Sequence, residues 1–294
     1  MSLLFQKITR KDEKMSVVQT QSWLYKFIES CNKYPQDDLY TLQCRSIGNP
    51  LVEFITDFNP EELHYHLLMH GLFEPTEWRS IDRTVKDMEV KKVWQKVNLE
   101  YQRLKNRWSG PEISIFIFPI KQRSLQSRDV LPRKNGLAYK KCLFLFLSSE
   151  LKVEEVGALL AHEYNHICRL DHLGKKESEV SLLDSLVVEG LGEYSVKELY
   201  GSQWLAPWTD LYTFQETLPL WTMHFVPSLH VVGIENHYPF LYGDIDKRLP
   251  KWIGYYIGFH IIDTYRKNHG PFSQNESYQL SSEELVVGSD YPLP

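Results

Sequence analysis

The chain has 294 residues, which is enough to bury a large core as one domain or as two smaller ones. Hydrophobic residues make up 43% and charged residues 24%, a composition that excludes extended disorder. The net charge of −5 gives no electrostatic basis for nucleic-acid binding, and no stretch approaches the ~18 apolar residues of a membrane helix.

The N-terminus and the cysteines together indicate a compartment. Residues 1–14 lack the apolar region of a signal peptide. The four cysteines show no C-x-x-C spacing and are predicted to be reduced thiols; they are Cys31, Cys44, Cys142 and Cys168. We therefore expect a cytoplasmic protein with no membrane span.

The first third of the chain is predicted to be mainly helical. Residues 19–31 carry apolar and aromatic side chains at helical spacing. Asn59, followed by Pro60 and by Glu62, is a typical helix start, and residues 87–108 read as one long helix. We predict a mainly helical N-terminal region over residues 1–110 and a catalytic domain over residues 111–294.

Two β-strands are predicted ahead of the most informative motif. Residues 113–118 are apolar and β-branched or aromatic, and residues 122–134 read as a polar loop. Residues 135–147 are predicted to form a second strand, with a turn near residues 135–136 as an alternative.

The motif H-E-x-x-H occupies residues 162–166 on a predicted helix over residues 152–169. Residues four apart lie on one helix face, so His162 and His166 can reach one metal ion with Glu163 beside them. This pattern predicts a zinc-dependent hydrolase, most often a peptidase. The alternative is a helix whose two histidines are simply hydrogen-bonded.

A second helix, predicted over residues 178–200, offers the third ligand that a zinc hydrolase needs. Glu189 lies among apolar residues, where a carboxylate is costly unless it is paired or bound to metal. Glu193, one turn later, is predicted to hold one imidazole in the right tautomer. Gly190 and Gly192 weaken a helix and indicate that another group approaches its backbone closely. The alternative is a Glu189–Glu193 pair on a solvated face.

Two other side chains compete for the metal. His172 would complete a different zincin pattern, H-E-x-x-H-x-x-G-x-x-H, but position 169 is Arg instead of the Gly that lets the chain turn. Cys168 lies close to His166 in the chain but points in another direction on a helix. Glu189 is therefore the preferred third ligand.

The C-terminal third contains a further predicted helix. Residues 204–249 read as short helices and loops that wall a cleft, and they include His224, His230 and His237. Residues 251–266 are predicted to be helical, with Gly254 and Gly258 one turn apart in a G-Y-x-x-G pattern that permits close packing.

Three segments carry a resemblance to a known family: residues 160–166, residues 188–194 and residues 252–262. In these the chain resembles the gluzincin branch of zinc peptidases and, more closely, the predicted Zn-dependent proteases of the YjaZ type, the DUF2268 family. The resemblance covers roughly residues 85–294. The 23-residue spacing from His166 to Glu189 is slightly longer than in the best-known gluzincins.

The resemblance implies an α+β, mainly helical fold: a zincin-like metallopeptidase core with a small β-sheet and an H-E-x-x-H active-site helix. It implies Tyr255 as the phenol that stabilises the oxyanion, with His260 as the second choice and His237 also open. It further implies that residues 136–139 pair with an extended peptide substrate; an ordinary internal strand is the alternative.

The resulting hypothesis is a zinc-dependent peptidase that binds one zinc ion through His162, His166 and Glu189. Glu163 is the general base that deprotonates the attacking water. Its partner is a peptide or protein substrate, and the oligomeric state is left open. An alternative is a zinc-binding regulatory or interaction protein on a peptidase scaffold without turnover; a third is hydrolysis of a non-peptide amide.

Overall fold

The computed structural model describes residues 16–122, 133–273 and 275–293, and it is mainly helical with one small sheet, as predicted. Residues 1–15 and residues 123–132, where the N-terminal prediction and most of the predicted polar loop fall, lie outside the described residues. The α-helices are α1 (Gln21–Lys33), α2 (Leu39–Gln43), α3 (Asn49–Leu51), α4 (Pro60–Met69), α5 (Trp78–Val90), α6 (Val93–Trp108), α7 (Val153–Leu173), α8 (Leu182–Tyr200), α9 (Phe214–Leu220), α10 (Tyr238–Tyr242), α11 (Ile253–His269), α12 (Glu276–Gln279) and α13 (Ser282–Val287). The strands are β1 (Ser114–Pro119), β2 (Lys134–Tyr139) and β3 (Cys142–Leu147).

The single helix predicted over residues 87–108 is wrong, because the chain breaks between α5 and α6. Lys92 adopts a φ of 55°, in the left-handed region that a continuous α-helix cannot contain. The break lets each helix turn its own apolar stripe inward, with Met88 buried on α5 and Trp94 buried on α6.

The single strand predicted over residues 135–147 is likewise wrong, because it is a hairpin of β2 and β3. The turn is formed by Lys140 and Lys141, not by the residues near position 135, and Lys140 has a φ of 49°. A left-handed residue in a two-residue loop matches the twist of the flanking strands.

The sheet has the order β1-β3-β2, so β3 is central and β2 lies at an edge. β1 pairs with β3 in parallel, with Phe116 opposite Phe144, and β2 pairs with β3 antiparallel, with Gly136 opposite Leu145. All six residues of β3 are buried, whereas β2 is half-buried throughout. Among the residues that the structure describes, no strand pairs with the outer edge of β2.

Two hydrophobic clusters form the core. The first surrounds the sheet and includes residues from α1, α5, α6 and the inner face of α7. The second is built on α8, α11 and the chain that follows them, with Trp221 and Tyr291 fully buried in it. The division of the chain at residue 110 stays a prediction.

Within the described ranges, no helix is both long and apolar enough to cross a lipid bilayer. The cytoplasmic location of the protein stays a prediction.

Candidate active site

Helix α7 carries the H-E-x-x-H motif in its middle turns. It begins after Lys152, whose backbone N–H donates to the Glu155 side chain at 3.0 Å, and it ends at Gly174, which has a φ of 62°. The apolar residues of this helix pack on the sheet, so the opposite face carries His162 and His166 toward α8. The motif is therefore held on a rigid element.

Helix α8 brings Glu189 to the two histidines. Ser181 caps this helix, and its hydroxyl accepts from the Asp184 backbone N–H at 3.2 Å. Glu189 Oε2 lies 3.5 Å from His162 Nε2 and 3.4 Å from His166 Nε2. Ligands on a tetrahedral zinc ion, at about 2.0–2.2 Å from the metal, are about 3.3–3.6 Å from one another. The distances to Glu189 match this spacing.

Burial and charge also fit a divalent cation. Glu189 Oε2 is buried and has no hydrogen-bond partner within the described residues. The side chains of His162, His166 and Glu189 are only 11%, 12% and 16% exposed. A carboxylate buried at this depth is costly without a cation or a full set of donors. One ion bound by His162, His166 and Glu189, whose donor atoms all lie within 4.8 Å of one another, would satisfy it.

The ionisation of the carboxylates reflects this close grouping. Burial raises the pKa of Glu163, and the two imidazoles only partly oppose that effect. Burial also acts to raise the pKa of Glu189, but the charge of His166 and the close approach of both imidazoles outweigh it and lower that pKa to about 2. Glu189 is thus an ionised carboxylate between two imidazoles, the form in which it can bind a metal.

Two glycines make room for the site. A Cβ on Gly136, in β2, would overlap the carboxylate of Glu163. A Cβ on Gly192, in α8, would lie 2.7 Å from His166 Cε1 and 3.2 Å from His162 Nδ1. Gly192 therefore leaves room for the imidazoles, as its place in a helix led us to expect, and Gly136 leaves room for the predicted general base.

Glu193 connects His162 to the wall of the site. Its Oε2 lies 3.0 Å from His162 Nδ1, and its Oε1 accepts from the Ala206 backbone N–H at 2.5 Å. The Glu193 side chain is 5% exposed. A buried carboxylate beside the second nitrogen of a ligand histidine suits the predicted role of fixing the tautomer.

The three predicted oxyanion donors lie in different surroundings. Tyr255 lies in the first turn of α11, and burial followed by the charge of Glu189 raises its pKa well above the usual range. His260 forms a hydrogen bond with Thr209 O, and His237 is fully buried between Ser185 and Val231 O. Tyr255 thus responds to the charge of Glu189.

The competing metal ligands lie elsewhere. His172 is exposed in the last turn of α7, which continues past position 169. Arg169, fully buried, donates to the backbone oxygens of Tyr278 and Leu280 at 2.7 and 2.8 Å. Arg169 thus ties α7 to the segment around α12, and the helix does not turn where the other zincin pattern turns. Cys168 is buried and lies outside the cluster of donor atoms.

Comparison with known proteins adds the family. The family model described as "Predicted Zn-dependent protease (DUF2268)" matches residues 93–287, which include both histidines, Glu163, Glu189 and Tyr255. The chain belongs to the DUF2268 family. Its curated relatives include the uncharacterized protein YjaZ of Bacillus subtilis, at 36% identity over 85% of this chain and 91% of YjaZ. A second similar protein is the uncharacterized protein YjfC of the same organism, at 25% identity over 45% of this chain and 46% of YjfC. No solved structure matches this DUF2268 chain.

Two residues of the site were missed at the sequence level. The sequence predicts Gly136 in a strand or turn and in the peptide-pairing segment, but not against Glu163, because that contact joins two elements that are 27 positions apart. Tyr242, the hydrogen-bond partner of Tyr255, lies in a stretch of weak periodicity with many aromatic residues. Spacing along one element carries no signal for either contact.

Proposed function

We propose that this protein is a zinc-dependent peptidase with a zincin-like core, in which His162, His166 and Glu189 bind one zinc ion. The observation that carries the proposal is the approach of Glu189 Oε2 to both imidazole Nε2 atoms, at 3.5 and 3.4 Å, in a buried cluster. The description of the DUF2268 family supports zinc dependence and proteolysis in general.

The chain's own residues divide the chemistry among them. A bound zinc ion would supply Lewis acidity toward the scissile carbonyl and lower the pKa of the attacking water. Glu163 takes a proton from that water and passes it to the leaving amine. Glu193 orients the His162 ring through Nδ1. Tyr255 donates a hydrogen bond to the carbonyl oxygen as negative charge develops there.

The substrate in this proposal is an extended peptide or protein segment. Strand β2 lies at the sheet edge, and no strand of the described residues pairs with its outer side, where an extended peptide could add. Gly136 belongs to this strand and also lies against Glu163. A segment that pairs with β2 is therefore brought beside the general base, with the residues of positions 136–139 as its backbone partners.

The substitution Glu163→Gln tests the proposal. Glutamine keeps the size of the side chain but cannot accept a proton, so we expect retained zinc and a loss of hydrolysis of about 10²–10⁴-fold. Zinc is measured by metal analysis and hydrolysis with casein and a peptide library. Glu154→Gln is the matched control, because Glu154 is exposed in the first turn of the same helix.

Full activity in Glu163→Gln contradicts the assignment of the general base. A wild-type protein that binds zinc and cleaves no peptide contradicts peptidase function and favours a zinc-binding regulatory protein instead. Cleavage of small amides alone favours the non-peptide alternative.

A further inference from the structure

Two phenols form a hydrogen-bonded pair, and one of them is the predicted oxyanion donor. Tyr255 OH donates to Tyr242 OH at 2.9 Å. Tyr242 ends α10, and Tyr255 lies in the first turn of α11, so two separate elements supply the pair. A phenol has one proton and can both donate and accept, so each hydroxyl can act on the other.

The backbone around these helices fixes the two rings relative to each other. The Trp252 N–H donates to Tyr242 O at 2.9 Å. A Cβ on Gly254 would lie 2.6 Å from Phe240 O, so the first glycine of the G-Y-x-x-G pattern allows α10 to lie directly against α11. The pattern thus places Tyr255 between two glycines, of which Gly254 faces α10 and Gly258 faces α8.

Neighbouring aromatic rings hold the phenols from the sides. The Tyr242 and Tyr255 ring centroids are 5.3 Å apart, and the Trp252 ring lies 5.1 and 5.2 Å from them. The Trp208 ring lies 5.2 Å from Tyr255 and 5.3 Å from Trp252. Aromatic contacts at these distances restrict ring motion. The two hydroxyl groups are therefore held in position relative to each other before a substrate binds.

Helix α11, which carries Tyr255, packs directly against α8, which carries Glu189, since a Cβ on Gly190 would overlap Gly258 O. Burial and then Glu189 raise the pKa of Tyr255, and the same carboxylate acts on Tyr242. Tyr242 is 40% exposed and Tyr255 is half-buried, so solvent or substrate can reach the pair from the Tyr242 side.

We propose that Tyr242 is a positioning residue that works with Tyr255 as one hydrogen-bonding unit. Without substrate, Tyr255 donates to Tyr242. When the carbonyl oxygen of a substrate becomes negative, both C–O bonds rotate, so that Tyr242 donates to Tyr255 and Tyr255 donates to the oxyanion. A phenol that accepts one hydrogen bond is a stronger donor in the next, so Tyr242 strengthens the contact.

The inference rests on the proposed peptidase function and is tested with three variants of the zinc-loaded full chain. We expect Tyr255→Phe to lower kcat by about 10²–10³-fold, the effect of losing one oxyanion donor. We expect Tyr242→Phe to lower kcat by about tenfold, the effect of one neutral hydrogen bond, with KM nearly unchanged. The double variant should be no slower than Tyr255→Phe alone, because both act through one hydroxyl.

Tyr238→Phe is the matched control. The Tyr238 ring stacks on Tyr242 at 5.6 Å, but its hydroxyl makes no hydrogen bond within the described residues and the side chain is 54% exposed. Its kcat should equal that of the wild type. Phenylalanine keeps each ring, so zinc content and the unfolding midpoint should be unchanged in all variants.

A binding measurement supplies a readout other than turnover. A phosphinic analogue of a casein peptide that the wild type cleaves carries a tetrahedral oxyanion. Calorimetry should show that Tyr242→Phe binds this phosphinic peptide about tenfold more weakly than the wild type does. The intact peptide is measured on inactive Glu163→Gln protein, where adding Tyr242→Phe should leave its affinity unchanged.

The outcomes separate the two claims. An inactive wild type overturns the peptidase function and, with it, this role for Tyr242. If the wild type is active and Tyr242→Phe has the same kcat and the same affinity for the phosphinic peptide, the role of Tyr242 is overturned and the peptidase function stands. The role of Tyr242 is also overturned if the fold-loss of kcat in the double variant equals the product of the fold-losses in Tyr242→Phe and Tyr255→Phe.

Discussion

Two glycines leave the space that the side chains of the candidate site occupy. Gly136 and Gly192 lie where any Cβ would meet Glu163 or the two imidazoles. A glycine inside a strand or a helix weakens that element, so its presence in both places has a packing reason. The two glycines belong to the candidate active site although neither bears a functional side chain.

The first prediction concerns Gly136. Its φ is not in the left-handed region, so alanine is compatible with the backbone and only the overlap with Glu163 opposes it. Gly136→Ala should displace the Glu163 carboxylate, lower hydrolysis at least tenfold and leave the zinc content unchanged. A displacement of about 1 Å is enough to cost 10²-fold in rate.

A double-mutant cycle supplies the control. In a Glu163→Ala background the overlap is absent, so adding Gly136→Ala should change neither the free energy of unfolding nor the zinc content. Equal destabilisation by Gly136→Ala with and without Glu163 would show that the glycine acts on the strand and not on the carboxylate.

At the residue scale, the sequence predicts those parts of the site that depend on spacing within one helix. The H-E-x-x-H pattern fixes its own geometry, because residues four apart share a helix face. The contact between Tyr242 and Tyr255 depends on how α10 lies on α11, and no spacing within one element encodes it. Local geometry was therefore predictable, and contacts between elements were not.

Helix α8 illustrates the same point at the scale of elements. Its two glycines face different partners: Gly190 faces the Gly258 backbone of α11, and Gly192 faces the histidines of α7. The helix is therefore enclosed on two sides, which explains why it is apolar nearly all round. The sequence predicted that something approaches these glycines, but the identity of each partner required the packing of three helices.

Gly190→Ala should destabilise the protein. A Cβ there would overlap the carbonyl group of Gly258 and force α8 and α11 apart. We expect a loss of about 1–3 kcal/mol in the free energy of unfolding, instead of the gain of about 1 kcal/mol that alanine gives in an open helix. Hydrolysis should fall as well, because these helices carry Glu189 and Tyr255.

Urea unfolding measures this effect, and Glu198→Ala is its control. Glu198 lies on the same helix, and its only ion pair in the described part of the chain, with Arg107 at 3.3 Å, is exposed. A pair of this kind contributes less than about 1 kcal/mol. A Gly190→Ala protein as stable as the wild type would mean that the two helices do not approach as closely as described.

Across the whole molecule, the site lies on the seam between the two hydrophobic clusters. Helix α7, with His162 and His166, packs into the first cluster, and α8, with Glu189, packs into the second. Arg169 also crosses the seam, since it contacts Ser282, whose hydroxyl donates to Asp184 of α8 at 2.7 Å. Buried polar groups here join segments that are far apart in the chain, and the periodicity of the sequence does not predict such contacts.

The arrangement predicts how the protein responds to loss of metal. Both clusters are large and bury most of α7 and α8 without any contribution from an ion, so a chelator should abolish hydrolysis while the far-UV circular dichroism stays helical. In the proposed function zinc binds the folded state through residues of two helices, so its removal should still lower the stability, by about 4 kcal/mol where free zinc had been at 1,000 times its Kd. Zinc added back should restore both activity and stability. Collapse of the helical signal on chelation would mean instead that the ion is needed for folding, as in a zinc-stabilised binding protein.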